Sequence, residues 1–227
     1  KFLSRFTSWV NYEHKVRAIL NDGRTTPLPV NRKTLEDVFN ISLKDSQRTE
    51  LFLKTIRKEI LNPKNTDELF LSNVGLKLTN IFFRPYTKKM WGIDPTKLEV
   101  SIGARLPVRT NYDDRYFTDS FQALPKEGYI GLFQNMLDHK NITVELNSEF
   151  EKSMEKSYKH CFLCIPIDSY FNYCFGNLPY RSLLFEERVT EAQNQDAPQI
   201  NFTDNSKYTR KTQWNLLPNC PLNKNKK

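Results

Sequence analysis

Residues 8–31 alternate between apolar and polar side chains, through Trp9-Val10-Asn11-Tyr12 and Val16-Arg17-Ala18-Ile19-Leu20. The chain turns at Asn21-Asp22-Gly23 and resumes toward Thr26-Pro27-Leu28-Pro29-Val30. Asp-Gly between two such runs predicts a β-hairpin. From about Asn31 the spacing becomes helical. Leu53, Ile56 and Ile60 share a face of a segment that Pro63 should stop, and Asn65 with Glu68 three residues on marks a new, capped start. Leu71, Val74, Leu78 and Ile81 then fall on one side of a helix expected to end before Pro85.

The rest of the chain is mixed. Residues 105–124 read as extended, Gly128 opens a short helix carrying Tyr129, Leu132, Phe133, Met136 and Leu137, and residues 142–146 read as a strand. A further helix-and-strand unit is expected over 151–167, which gives an α/β rhythm. Three strand-like runs follow at 182–189, 199–202 and 208–214. The expected fold class is α+β: a helical module inserted into a mostly antiparallel β-sheet, beside part of an α/β flank. The boundaries are a sheet hairpin over 1–32, helices over 33–102, sheet over 103–124 and 178–217, the α/β region over 125–177, and a basic tail over 218–227.

Composition changes this picture little, but charge placement matters. The net charge is +8, yet six basic residues and no acidic one follow Asp204, which leaves residues 1–204 with 28 basic against 26 acidic side chains. The excess belongs to the tail, where an Asn/Lys-rich stretch is more often solvated chain than a nucleic-acid face. No apolar run approaches the roughly 18 residues of a membrane span. The seven glycines form neither a G-x-G-x-x-G nor a P-loop. The first residue is Lys1, and residues 1–10 have no signal-peptide character, so the chain reads as a piece of a longer, cytoplasmic protein. Cys161-x-x-Cys164 has the spacing of half a zinc site, but no second pair and no spaced histidines complete it. Both cysteines are expected as small core residues of a buried strand.

Candidates for hydrolytic chemistry are thin. There is no G-x-S-x-G or H-E-x-x-H, and Asp113-Asp114 and Glu186-Glu187 are adjacent pairs whose side chains diverge in a strand. The informative stretch is Phe82-Phe83-Arg84-Pro85-Tyr86-Thr87-Lys88-Lys89-Met90-Trp91-Gly92, where rings that could stack on a nucleobase crowd the end of a helix. By composition alone the same rings could simply seal helices against a sheet. Arg105-Leu-Pro-Val-Arg109 puts two guanidiniums on one strand face but about 13 Å apart, too far to grip one diphosphate. A second cation must come from elsewhere, and Arg210 in Tyr208-Thr-Arg210 is the best placed. Arg suits phosphate because its planar fork bonds two oxygens at once.

These segments, with Asp114-Arg-Tyr116-Phe117, Phe121-Gln-Ala-Leu-Pro-Lys-Glu-Gly128-Tyr129, Pro166-Ile-Asp168-Ser-Tyr-Phe171, Tyr180-Arg-Ser-Leu183 and Asn201-Phe-Thr-Asp204, resemble the UDP-galactopyranose mutase family in order and spacing. The resemblance runs from about Phe6 to Arg210. It implies an isomerase that interconverts UDP-galactopyranose and UDP-galactofuranose for surface polysaccharides, by covalent catalysis on reduced FAD. It further implies Arg105 and Arg210 as the catalytic pair on the diphosphate and Tyr116 as a phosphate contact. Phe82, Tyr86, Thr87 and Trp91 fall on its uridine-binding segment, and Asn201 in its substrate pocket. Arg109 is left over and reads as structural. The partners implied are the UDP-sugars, with no nucleic acid and no membrane, and a homodimer is the candidate assembly.

The family's N-terminal glycine-rich FAD motif and its C-terminal Gly-Arg segment are absent here, so this chain is expected to supply the UDP-sugar site, to offer no cofactor-binding residues of its own, and to be inactive alone. Ile165 stands where the family usually has Gly, and Gln213 where it has Glu. The alternatives are a non-catalytic UDP-sugar-binding relative, a mutase for the N-acetylated sugar, and, more remotely, a basic RNA-binding module.

Overall fold

The computed structural model describes residues 1–20, 22–104, 107–189, 195–204 and 206–218. The hairpin forms as the Asp-Gly signal predicts: β2 (Val16–Ile19) pairs antiparallel with β3 (Thr25–Leu28), with Gly23 at φ +84° in the turn. The preceding strand β1 (Trp9–Asn11) joins a different, two-stranded ribbon with β4 (Ala123–Pro125). The second sheet has the order β3-β2-β5-β6, with β5 (Gln199–Asn201) and β6 (Arg210–Thr212) supplied from far down the chain. Its β2–β5 pairing is parallel and the other two are antiparallel.

Between β3 and β5 lie the helices α1 (Arg32–Phe39), α2 (Ser46–Ile56), α3 (Thr66–Leu78), α4 (Arg84–Trp91) and α5 (Val100–Gly103). Each of the first three starts on a residue whose side chain accepts an orphan backbone N–H: Asn31 from Thr34, Asp45 from Arg48 and Asn65 from Glu68. The Glu68 carboxylate reaches back to the Lys64 N–H at 2.7 Å, one residue earlier than a capping box requires. Val16, Ala18 and Leu28 from one sheet face meet Leu35, Leu53, Val74, Leu78 and Phe82 from the helices in a single buried core. That face is covered by α1, α2, α3 and the turn that follows α3.

Two departures from helical expectation shape this layer. Helix α2 ends at Ile56, short of Ile60, because Arg57 turns extended and Lys58 donates its N–H to the Leu71 carbonyl of α3. Gly75 makes room for that contact with φ +77° and ψ 173°, a kink no L-residue takes easily. Nor does the helix stop before Pro85. Residues Thr79–Phe83 form a π-turn in which Arg84 donates to the Thr79 carbonyl, and α4 starts with Pro85 in its first turn, where the missing N–H costs nothing.

Several expected strands do not form. Residues 107–122 belong to no named strand and make one bridge, Lys15 to Arg115. The side chains of Asn111 and Asp113 accept N–H groups two residues on, which turns the chain instead of extending it. Helix α6 (Gly128–Leu137) is where it was expected, but 142–146 and 160–165 pair with no strand among the described residues. An apolar run without a neighbouring ladder leaves its backbone polar groups unpaired, so it does not persist as a strand. Residues Lys152–Ser157 form a 3-10 turn, and a short helix, α7 (Ile167–Tyr170), carries Asp168, which accepts from the Leu178 N–H and the Tyr180 hydroxyl. Residues 182–189 are likewise not a strand. They are tied down by side chains, Glu186 accepting from Lys207 at 2.9 Å and from the Tyr208 hydroxyl at 2.9 Å.

Candidate functional site

The site takes shape where α4 meets the β5–β6 turn. Register partners Asn201 and Arg210 stand opposite each other on β5 and β6, so both side chains leave the sheet on one face. It is the face that buries Ala18 and Thr26, and α4 reaches its β6 edge through Met90. Asn201 is buried and accepts from Gln199 at 2.8 Å, while Arg210 is exposed, with Nη2 4.0 Å from the Met90 sulfur of α4. Burial pushes the Tyr86 phenol above its ordinary value. The neighbouring Arg210 charge opposes that shift and Tyr116 adds to it.

The other expected residues are distributed around this cluster. Thr87 is buried on the inner side of α4, and Trp91 ends the helix with 39% of its surface open. Phe82 is 2% exposed and belongs to the core, so it backs α4 and presents no face to a ligand. Arg105 lies outside the described residues. Arg109 is structural as read: it donates to the carbonyls of Asp113, Arg115 and Phe117 and holds the loop that carries Tyr116. Gly92 caps α4 in the left-handed region at φ +68°, and a Cβ there would come within 2.9 Å of the Arg181 guanidinium.

On its far side Tyr116 touches His14, ring centroids 5.8 Å apart, and His14 opens onto a cleft of about 480 Å³ lined by Trp9, Tyr12, Phe117, Phe121 and Tyr129. His14 and the Tyr12 hydroxyl share a 2.8 Å hydrogen bond; burial lowers the imidazole and raises the phenol to about 12, so both are neutral at physiological pH. Nothing in the spacing of Tyr12 and His14 singled them out, because the cleft is built by a ribbon whose second strand lies more than a hundred residues away. Lys89 was also missed. It is one cation in a basic motif, and its partners are the main-chain carbonyls of Ser206 and Tyr208.

For a dinucleotide cofactor the described residues do not fit. The β4–α6 connection is a strand-to-helix turn, but it holds Gly128 alone, at φ +73° with nothing within 4 Å of a Cβ there, and no glycine cradle surrounds it. Among the described residues no three His, Cys, Asp or Glu side chains gather to hold a metal. Cys161, Cys164 and Cys174 are exposed, against the expectation of a buried strand for the first two, because 160–165 has no sheet to enter; Cys220 lies outside the described residues. Nor is any helix among the described residues long and apolar enough to cross a membrane.

A family model for UDP-galactopyranose mutase matches residues 81–226, a stretch that begins at the π-turn and takes in α4, the Tyr116 loop and both strands of the cluster. The chain belongs to that family. It is 34% identical over 213 residues to a probable UDP-galactopyranose mutase of Klebsiella pneumoniae, covering 93% of this chain and 55% of that protein. It is 35% identical over 196 residues to a dTDP-fucopyranose mutase of Escherichia coli, covering 84% and 52%. The chain therefore spans about half the length of these relatives. A crystal structure of reduced UDP-galactopyranose mutase aligns at 20% identity with a TM-score of 0.42, over 59% of this chain and 31% of that one, a likeness on which nothing below depends.

Proposed function

We propose that this chain carries the nucleotide-sugar site of a UDP-galactopyranose mutase, an isomerase that interconverts UDP-galactopyranose and UDP-galactofuranose. What supports the reading is the family match over residues 81–226 together with Asn201 and Arg210 standing opposite each other on β5 and β6, the Arg210 guanidinium lying 4.0 Å from the Met90 sulfur of α4, the helix that carries Tyr86, Thr87 and Trp91. Reduced FAD supplies the nucleophile in such an enzyme when bound, and the chemistry assigned here is the nucleotide's. Tyr86 and Trp91 cover the base, Thr87 orders the helix beneath them, and Phe82 supports them from the core. Arg210 faces the diphosphate with Tyr116 beside it, and Arg105 is the second guanidinium. Breaking the glycosyl bond places negative charge on the departing nucleotide diphosphate. A guanidinium fixed at that point stabilises the departing state more than the bound substrate and so speeds the step.

The test is quenching of tryptophan fluorescence by UDP. Binding is expected to be saturable, and Arg210→Ala should weaken it about tenfold or more, the scale of a lost charge-assisted bond. In the active enzyme the same change should lower turnover by about two orders of magnitude. Unchanged affinity and turnover would remove the assignment. The identity to the dTDP-fucopyranose mutase favours a second reading, in which the site takes a dTDP-deoxysugar. Titration with dTDP beside UDP separates the two.

A further inference from the structure

Lys89 sits on α4 between Tyr86 and Trp91, but its side chain turns away from solvent and is 18% exposed. Its ammonium donates to the Tyr208 carbonyl at 2.8 Å and the Ser206 carbonyl at 3.2 Å, and lies 3.6 Å from the Asp204 carboxylate. Three donors on a compact head suit three acceptors converging from one turn, a geometry that a flat guanidinium does not match. Two of the acceptors are main-chain, so the contact fixes the path of the backbone whatever side chains the turn carries. The second of them, Tyr208, is two residues before Arg210.

From this geometry we infer that Lys89 is the positioning residue of the Arg210 guanidinium. By bolting the β5–β6 turn to α4, it holds the phosphate-facing charge at a set distance from the base-covering rings on the same helix. The inference rests on the nucleotide-sugar reading above. The turn's other outside contacts among the described residues are Thr203 Oγ1 donating to the Ile19 carbonyl at its start and the exposed contacts of Lys207 and Tyr208 with Glu186 and of Arg188 with the Tyr208 hydroxyl, none of which ties it to α4. Burial lowers the Lys89 ammonium and Asp204 raises it again, which adds a reason for the carboxylate to be there.

A double-mutant cycle on the 227-residue chain, with UDP as the probe, tests this. Lys89→Met is expected to weaken UDP binding about tenfold, the worth of hydrogen bonds made by a charged group. The same change made in an Arg210→Ala background should weaken it no further, because a residue that acts only through Arg210 has nothing left to position. Losses that simply add overturn the inference, since they mean that Lys89 supports the fold or touches the ligand itself. So does unchanged UDP affinity in Lys89→Met. If Arg210→Ala alone leaves UDP binding intact, the nucleotide reading fails first, and that outcome is recognised before Lys89 is considered. Should Lys89→Met not fold, Asp204→Ala loosens the same clamp from a half-buried position. Its expected loss is about threefold, again absent in the Arg210→Ala background, and equal losses in both backgrounds would refute the role.

Discussion

Substituting Gly75 tests how tightly the helical layer is built. In Gly75→Ala the new Cβ would sit 1.9 Å from the Ile56 carbonyl oxygen and 2.7 Å from its carbon. An ordinary C···O approach is about 3.3 Å or more, so the end of α2 must withdraw by more than about 1 Å. That movement strains two bonds that tie α2 to α3: Lys58 N–H to the Leu71 carbonyl, and the Arg57 guanidinium to the Asn73 carbonyl at 2.8 Å. Positive φ costs an L-residue about 1–2 kcal/mol. Each strained bond adds about 1 kcal/mol and overpacking about 1–3 kcal/mol. The expected loss is about 4–7 kcal/mol, a large part of the roughly 5–15 kcal/mol of an ordinary domain. Urea unfolding followed by far-ultraviolet circular dichroism measures it, and Gly23→Ala supplies the control. Gly23 has a similar φ of +84° but nothing within 4 Å, so only the strain of about 1–2 kcal/mol applies there. If Gly75→Ala loses no more stability than Gly23→Ala, the close approach to Ile56 is not holding α2 and α3 together, and this account of the kink is wrong.

Two more outcomes follow from the charged pairs. Arg84 grips Asp67 with both ends of its fork at 2.6 Å, and Asp67 is buried in the first turn of α3. Arg84→Ala should cost about 2 kcal/mol in the same unfolding assay, below the 3–5 kcal/mol of a fully buried pair because Arg84 itself is partly open to water. The Arg115 guanidinium holds the Asp113 carboxyl down to about 2. A carboxyl depressed in the folded state stabilises above its unfolded pKa of about 4 and loses that contribution as pH falls toward 2. Asp113→Asn should therefore flatten the decline in stability between pH 4 and pH 2, and a decline identical to wild type would show that the Asp113–Arg115 pair contributes nothing.

What the sequence made legible were the features decided within a few residues. Asp22-Gly23 announces its hairpin, Asn65 with Glu68 announces the start of α3, and Gly128 opens α6, because turn and cap chemistry is local. The misplaced strands at 142–146, 160–165 and 182–189 have the right apolar texture, but a strand also needs a neighbour, and pairing is settled by the rest of the fold. Pro85 misled for a related reason: whether a proline stops a helix depends on whether the preceding turn can widen, as Thr79–Phe83 does. At the site, Tyr86 stands in an aromatic stretch and Arg210 is the cation that the Arg105–Arg109 spacing asks for, but Tyr116 and Asn201 could be named only by their resemblance to a family. Lys89 could not be named at all. Its targets are carbonyl oxygens, which every residue has and no sequence pattern marks.

The parallel pairing of β2 with β5 sets when the site can exist. Val16 to Ala18 must find Gln199 to Asn201, far down the chain, before β6 has a sheet to join. Closing so long an interval is entropically slow, whereas the helices in between can consolidate from contacts close at hand. During synthesis, then, the rings of α4 would be in place while their basic counterpart was still emerging from the ribosome, and binding competence would arrive only once β6 had been made.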